Sequence, residues 1–193
     1  MRHHLAWLTL IALAACGHAS GARNGETELR PRDLYPLAEG NVWTYDVDTG
    51  IEGAPPALAI TRVVSVEGNR YEVSNNNSDP LIYELREEGI WRVAHGLWLL
   101  KAPIREGSEW PSTSGMTARI TSLSEDVTTP AGEFEGCVRV EETGGTEDRD
   151  ITTVYCREIG PVLIQSGIRT QLSGMTTRVV ARLRGHLFGG EGL

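Results

Sequence analysis

Lysine is almost absent from this chain: Lys101 is the single one among 18 lysine and arginine residues. We read that bias as a property of codon usage and not of function. Basic charge is short altogether, because 26 acidic residues leave a net charge of −8 over 193 residues. An acidic chain without a basic patch repels phosphate backbones, which excludes nucleic acid as a partner. Histidine is scarce, and no H-E-x-x-H, G-x-S-x-G or phosphate-cradling glycine loop occurs, so the sequence designates no metal, no cofactor and no catalytic residue. Helical periodicity is missing too. No 3.6-residue apolar stripe longer than two turns survives the spacing of the 22 glycines and 9 prolines. Beyond the N-terminus, no apolar run is long enough to span a bilayer.

What is present begins at that N-terminus. Met1-Arg2-His3-His4 precedes the apolar run Leu5–Ala15, which ends in Leu13-Ala14-Ala15-Cys16. Eleven residues cover about 16 Å as a helix, far short of a hydrocarbon core of roughly 30 Å, so the run is a secretory leader and not a lasting anchor. It resembles the bacterial lipoprotein signal Leu-[Ala/Ser]-[Gly/Ala]-Cys at all four positions. The resemblance implies cleavage before Cys16 and lipidation of that residue, which gives the chain the membrane as its partner. Two acyl chains at about 0.8 kcal/mol per buried methylene hold such a chain firmly. Residue 17 is Gly and not Asp, which by the same resemblance favours the outer membrane. The expected organisation is a leader over residues 1–15, a lipidated flexible tether over 16–33, one domain over 34–188 and a short tail over 189–193. The tether would hold the domain on the order of 20–25 Å from the bilayer.

Of three cysteines, lipidation of Cys16 leaves Cys137 and Cys156. An even remainder in an exported chain argues for a disulfide. Set opposite each other on a hairpin, the two fix a register in which paired residue numbers sum to 293. The turn then falls within Gly145–Asp148, and Val138 faces Tyr155 while Val140 faces Thr153.

Strand signals fill the remainder. Trp43, Tyr45 and Val47 alternate with polar residues after Gly40-Asn41, Ala57–Val66 is rich in β-branched residues, and Asn75–Pro80 is an emphatic turn. Leu81, Tyr83 and Leu85 alternate, and Leu97–Leu100 is continuously apolar. The expectation is all-β: a single antiparallel meander of about eleven strands, curled into a barrel-like sheet, with a two-layer sandwich as the alternative. Two echoes hint at related halves. Pro36-Leu37-x-x-Gly40-x-x-Trp43 recurs as Pro103-Ile104-x-x-Gly107-x-x-Trp110, and Tyr83–Gly89 is echoed at Tyr155–Gly160, at offsets of 67 and 72 residues.

Three segments carry a wider resemblance. Pro36–Tyr45 matches P-L-x-x-G-N-x-W-x-Y, Pro130–Val140 matches P-A-G-x-F-x-x-C-x-x-V, and Tyr155–Val162 is similar to a Y-C-x-x-G-type segment, with a later glycine replaced by Pro161. These segments resemble a family of exported bacterial β-proteins. The resemblance supports the fold and the address, and it carries over no catalytic residue.

Candidate ligand-binding residues are few. His95 lies between Trp91 and Trp98, the one placement of a histidine that suggests a ligand or acid–base role, although no carboxylate is placed to orient it. Arg62 shares a strand face with Leu58, Ile60, Val64 and Val66, so either a bulge turns it to solvent or it points inward and needs an anionic partner. Trp43, Trp91, Trp98 and Trp110 are candidates to line a cavity, though core filling explains them as well. The reading is a cell-envelope lipoprotein serving as a non-enzymatic binding or scaffolding module, with envelope proteins or a small apolar ligand as partner. A lipid carrier would need a dry cavity of several hundred Å³ lined by the tryptophans. An envelope hydrolase would need His95 beside a carboxylate and a nucleophile.

Overall fold

The structure, a computed structural model, describes residues 28–145, 148–169 and 176–189. The leader, Cys16 and most of the expected tether lie outside the described residues, as do Thr146 and Glu147 of the predicted hairpin turn. Among the described residues, twelve strands run in chain order: β1 (Val42–Asp48), β2 (Ala57–Glu67), β3 (Arg70–Asn75), β4 (Leu81–Arg86), β5 (Gly89–Arg92) and β6 (Leu97–Lys101), then β7 (Glu109–Pro111), β8 (Thr117–Thr129), β9 (Gly132–Thr143), β10 (Arg149–Cys156), β11 (Gly160–Arg169) and β12 (Thr176–Leu187). Eleven carry the patterns recognised in the sequence. The twelfth, β7, is three residues long and too short for any alternation to register.

All twelve belong to one antiparallel sheet in the order β6-β5-β4-β3-β2-β1-β12-β11-β10-β9-β8-β7. The sheet curls into a nearly closed barrel. Consecutive strands pair except β6 and β7, so the chain makes two six-strand meanders, β1–β6 and β7–β12, joined by the β1–β12 pairing. The edges, β6 and β7, approach each other at a seam. The sequence echoes fall at equivalent places in the two meanders. Gly40 and Gly107 share φ near +84°, and each introduces a strand bearing a buried tryptophan, Trp43 and Trp110. Gly40 N donates to the Val63 carbonyl while Val63 N donates to that of Asn41; Gly107 and Ile120 repeat the exchange with Ser108. Tyr83 on β4 and Tyr155 on β10, the fourth strands of their meanders, likewise face the same lumen.

Inward positions are apolar or aromatic because alternate side chains of a strand share a face. On β8, Ala118 and Ile120 are buried while Thr117, Arg119 and Thr121 are exposed. Strand β2 shows why its inward set is hard to pick from the sequence. The pairing with β3 shifts between Val63 and Ser65, a bulge that resets the alternation, so Val63 and Val66 both sit with the core while Arg62 and Val64 face water.

The β9–β10 hairpin has the expected register: Val138 opposes Tyr155 and Val140 opposes Thr153. Cys137 and Cys156 are bonded, with Cα atoms 4.4 Å apart. Both faces are buried at this end, since Cys137, Val154 and Cys156 on one side and Val138, Val140 and Tyr155 on the other are nearly inaccessible. Val127, Ala131 and Phe134 from the far half of the β8–β9 hairpin pack against the same cluster, and Ala131 N donates to the Leu183 carbonyl of β12.

The packed part of the chain begins earlier than the expected Leu34. Leu29 contacts the core, and a single helical turn, α1 (Pro31–Leu34), starts with proline at its first position. Asp33 accepts from the Arg30 backbone N and side chain, and its own carbonyl accepts from Glu158 N. This turn plugs one end of the barrel: Leu34 is fully buried, and the Tyr35 ring packs on Trp43 at 5.1 Å and on Tyr83 at 6.5 Å.

Candidate functional site

Inside the barrel, strands from both meanders line a cavity of about 260 Å³ that opens to solvent. Its floor comes from α1 through Tyr35, its walls from Tyr45, Tyr83 and Tyr155, and its charged groups are Arg92 on β5 and Glu142 on β9. Val73, Leu99, Ile151 and Ile164 supply apolar lining between them. Two further grooves, of about 290 and 570 Å³, flank α1. Their charged lining residues are solvated on the surface, whereas the lumen brings Arg92, Glu142 and four tyrosines together on one concave surface with an apolar lining.

The partners can be traced one by one. The Tyr45 hydroxyl donates to the Pro161 carbonyl at 2.9 Å, and Thr61 Oγ1 donates to Asn75 Oδ1 at 2.7 Å. Ser112, just past β7, donates its hydroxyl to Glu142. The other Glu142 oxygen stands 3.9 Å from an Arg92 Nη, an ion pair outside hydrogen-bond range. Together Ser112, Glu142 and Arg92 bridge the barrel near the seam, where no backbone ladder joins β6 to β7. Among the described residues, Glu142 is the one ionic partner of Arg92, and neither the Tyr35 nor the Tyr83 hydroxyl has a protein hydrogen-bond partner. Tyr35 and Tyr83 are nonetheless more than nine-tenths buried.

Burial pushes all four lumen tyrosines above the ordinary phenol range, because ionised phenolate loses its hydration there. The Arg92 guanidinium opposes that push at Tyr35, Tyr83 and Tyr155, so its field reaches all three hydroxyls. A pKa raised in the folded state means the unfolded chain releases these protons first. The stability tied to the neutral phenols is therefore complete below about pH 10, where free tyrosine titrates, and is lost as pH climbs above it. In Tyr71→Phe, whose remaining tyrosines are the four of the lumen, thermal melting followed from pH 8 to 11 should fall steeply above about pH 10, with tyrosinate absorbance appearing only as the fold is lost. Tyrosinate absorbance growing in the folded state at that pH would contradict the buried, neutral assignment.

The candidates read from the sequence sit elsewhere. Arg62 is exposed on the outer face, because the β2 bulge lies after it and leaves Thr61 and Val63 as its inward neighbours; it does not reach the cavity. Trp91 and Trp98 pack edge to face at 4.8 Å. Trp91 faces away from the lumen, since it alternates with inward Arg92, and Trp98, its partner across the β5–β6 ladder, is half-buried against the rim of the core. Arg86 stacks over Trp91 at 4.4 Å. His95 is exposed in a 3₁₀ turn, beside a small recess of about 100 Å³ that also touches Tyr83 and Arg92. Among the described residues no carboxylate pairs with it, and no cluster of histidine, cysteine and acidic side chains is arranged to hold a metal. Trp43, Trp91, Trp98 and Trp110 line none of the cavities described above: Trp43 and Trp110 fill the core, and the lumen is walled by tyrosines. Arg92, Glu142 and the tyrosine set went unrecognised in the sequence. The signal available was the placement of Tyr83 and Tyr155 in the repeated segment.

No protein-family model matches the sequence, and no curated protein matches it. Among solved structures, a candidate exported protein with a YmcC-like fold from Bacteroides fragilis is similar at 12% identity and a TM-score of 0.48, covering 80% of this chain and 99% of that one. A candidate lipoprotein from Parabacteroides distasonis is similar at 14% identity and a TM-score of 0.44, covering 80% of this chain and 98% of that one. At this level of likeness the comparison adds nothing about chemistry, and the site rests on its own geometry.

Proposed function

We propose that the chain is a lipid-anchored protein of the cell envelope that acts as a non-enzymatic binding module, with the barrel lumen as its binding site. The observation that carries the reading is the convergence on one 260 Å³ space of the Tyr35 and Tyr83 hydroxyls, which have no protein partner among the described residues, and the Arg92 guanidinium, whose one ion pair is to Glu142 at 3.9 Å. Donors left without protein partners and gathered with a fixed cation on one concave surface are what holds and orients a polar ligand. A lumen this polar and small does not suit a lipid carrier enclosing whole acyl chains. The address follows from the lipobox at Leu13–Cys16, and Gly17 favours the outer membrane.

Two measurements test the two parts. The full chain expressed in a bacterial host should incorporate a clickable palmitate analogue, and Cys16→Ser should not; equal labelling of both would remove the anchor. Mass spectrometry of the intact purified chain should find a small molecule in stoichiometric amount. That molecule should be lost in Ile164→Trp, which fills the lumen from β11, at an unchanged melting temperature. Co-purification of proteins with no small molecule, unaffected by Ile164→Trp, would favour the scaffold instead.

A further inference from the structure

We propose that the lumen takes a small organic carboxylate, with its oxygens on Arg92 and the Tyr35 and Tyr83 hydroxyls and its body on the apolar lining. The inference rests on the lumen being the binding site and adds the class of ligand. A census of hydrogen-bonding capacity carries it. The acceptors of the lumen are largely spoken for: the Pro161 carbonyl takes Tyr45, Asn75 Oδ1 takes Thr61, and Glu142 takes Ser112. The donors are not. A guanidinium has five N–H groups, and those of Arg92 meet only a carboxylate oxygen at 3.9 Å. Two phenol hydroxyls, Tyr35 and Tyr83, are free beside it, Tyr83 lying directly across the β4–β5 ladder from Arg92. Their retained protons make them donors, not anions. A site with surplus donors and a fixed cation calls for an oxygen-rich anion, and the planar guanidinium fork matches the two oxygens of a carboxylate.

Glu142 is the one anion in the lumen, and its presence shapes the expectation. It occupies one side of the guanidinium and shares its other oxygen with Ser112. The remaining N–H groups of the fork stay open, so Arg92 would bridge two carboxylates. The second must be held partly by neutral donors, which is the role left to the tyrosines. Val73, Leu99, Ile151 and Ile164 then favour a ligand with an apolar body over a bare inorganic anion.

Isothermal titration of the purified full-length chain with hexanoate, 1-hexanol and inorganic phosphate separates these chemistries. Hexanoate should bind saturably, with hexanol and phosphate each at least about tenfold weaker, the scale of a lost charge-assisted hydrogen bond. Arg92→Gln should weaken hexanoate by a similar factor. The double variant Tyr35→Phe/Tyr83→Phe keeps every ring and hence the packing, and should weaken it several-fold with melting temperature preserved. Hexanol binding as well as hexanoate would overturn the carboxylate while leaving the lumen a binding site. Phosphate binding equally well would overturn the apolar body, and no saturable binding by any of the three would overturn the assignment outright. Full hexanoate affinity in the tyrosine double variant would remove Tyr35 and Tyr83 from the site.

Discussion

Removing the Cys137–Cys156 bond should lower stability by about 3 kcal/mol, the contribution expected from closing a loop of this length in the unfolded chain. For a domain of this size that corresponds to a melting temperature about 6–12 °C lower. The bond joins neighbouring strands whose pairing survives without it, so the fold should persist and the loss should come chiefly from a less constrained unfolded state. Two consequences separate this from local damage. The dependence of stability on urea should steepen in Cys137→Ala/Cys156→Ala, because a chain free to expand exposes more surface on unfolding. Reduced wild-type protein should behave as the double variant does, since alanine at two buried positions removes little volume. A loss below about 1 kcal/mol would mean that the hairpin is held in the unfolded state by something other than the bond. The same figure bears on location. A chain retained in the reducing cytoplasm would carry this deficit, so export and full stability are linked through the two cysteines.

The disulfide, its register and the barrel share one origin in the sequence: short-range alternation that survives folding. A strand pair such as Val138–Val140 against Thr153–Tyr155 is fixed by two residues and a period of two. For the same reason the curled meander was expected, and eleven of its strands with it. Features that depend on phase breaks were legible only as alternatives, because a bulge can be suspected from a charge on an apolar face but not placed. The β2 bulge after Val63 leaves Arg62 outside although its neighbours two residues away read as one apolar face. The packing of Leu29 and Pro31 under the barrel was hidden because Arg30, Arg32 and Asp33 make the segment look like tether, whereas two of them are busy with each other.

The site was illegible for a different reason. Tryptophans attract notice, yet the lumen is walled by tyrosines, and a tyrosine inside a strand looks like any other aromatic core residue. What distinguishes Tyr35 and Tyr83 is a hydroxyl without a partner, a property of three-dimensional surroundings that no spacing encodes. Arg92 is similar. In Trp91-Arg92-Val93 it reads as the polar half of an edge strand, and only the curl of the sheet turns that half inward, to face Glu142 from the opposite meander. The two echoed tyrosines were the nearest thing to a signal, since duplicated halves converge on one axis and place equivalent residues around it.

Trp43→Ala should be the most damaging single change in the domain, at about 3–5 kcal/mol. The indole is fully buried and packs on Tyr35 and Phe188, so its removal opens a void between the helical plug and the end of β12. Its Nε1 also donates to the Ile159 carbonyl at 2.6 Å, so even Trp43→Phe should cost about 2 kcal/mol by leaving that acceptor unmet. Gly160 explains why the chain can come so close. It has φ near +103°, and a Cβ placed there would stand 3.0 Å from the same Nε1. Gly160→Ala therefore combines backbone strain with a clash, together on the order of 2–3 kcal/mol. The strain stays whatever residue 43 is, but the clash needs the indole. A thermodynamic cycle between Gly160→Ala and Trp43→Phe should thus show the pair costing less than the sum of the singles by about 1 kcal/mol. Strict additivity would mean that the indole yields freely to the added methyl, and that the loop Arg157–Ile159 is not held against Trp43 in the way its hydrogen bond indicates.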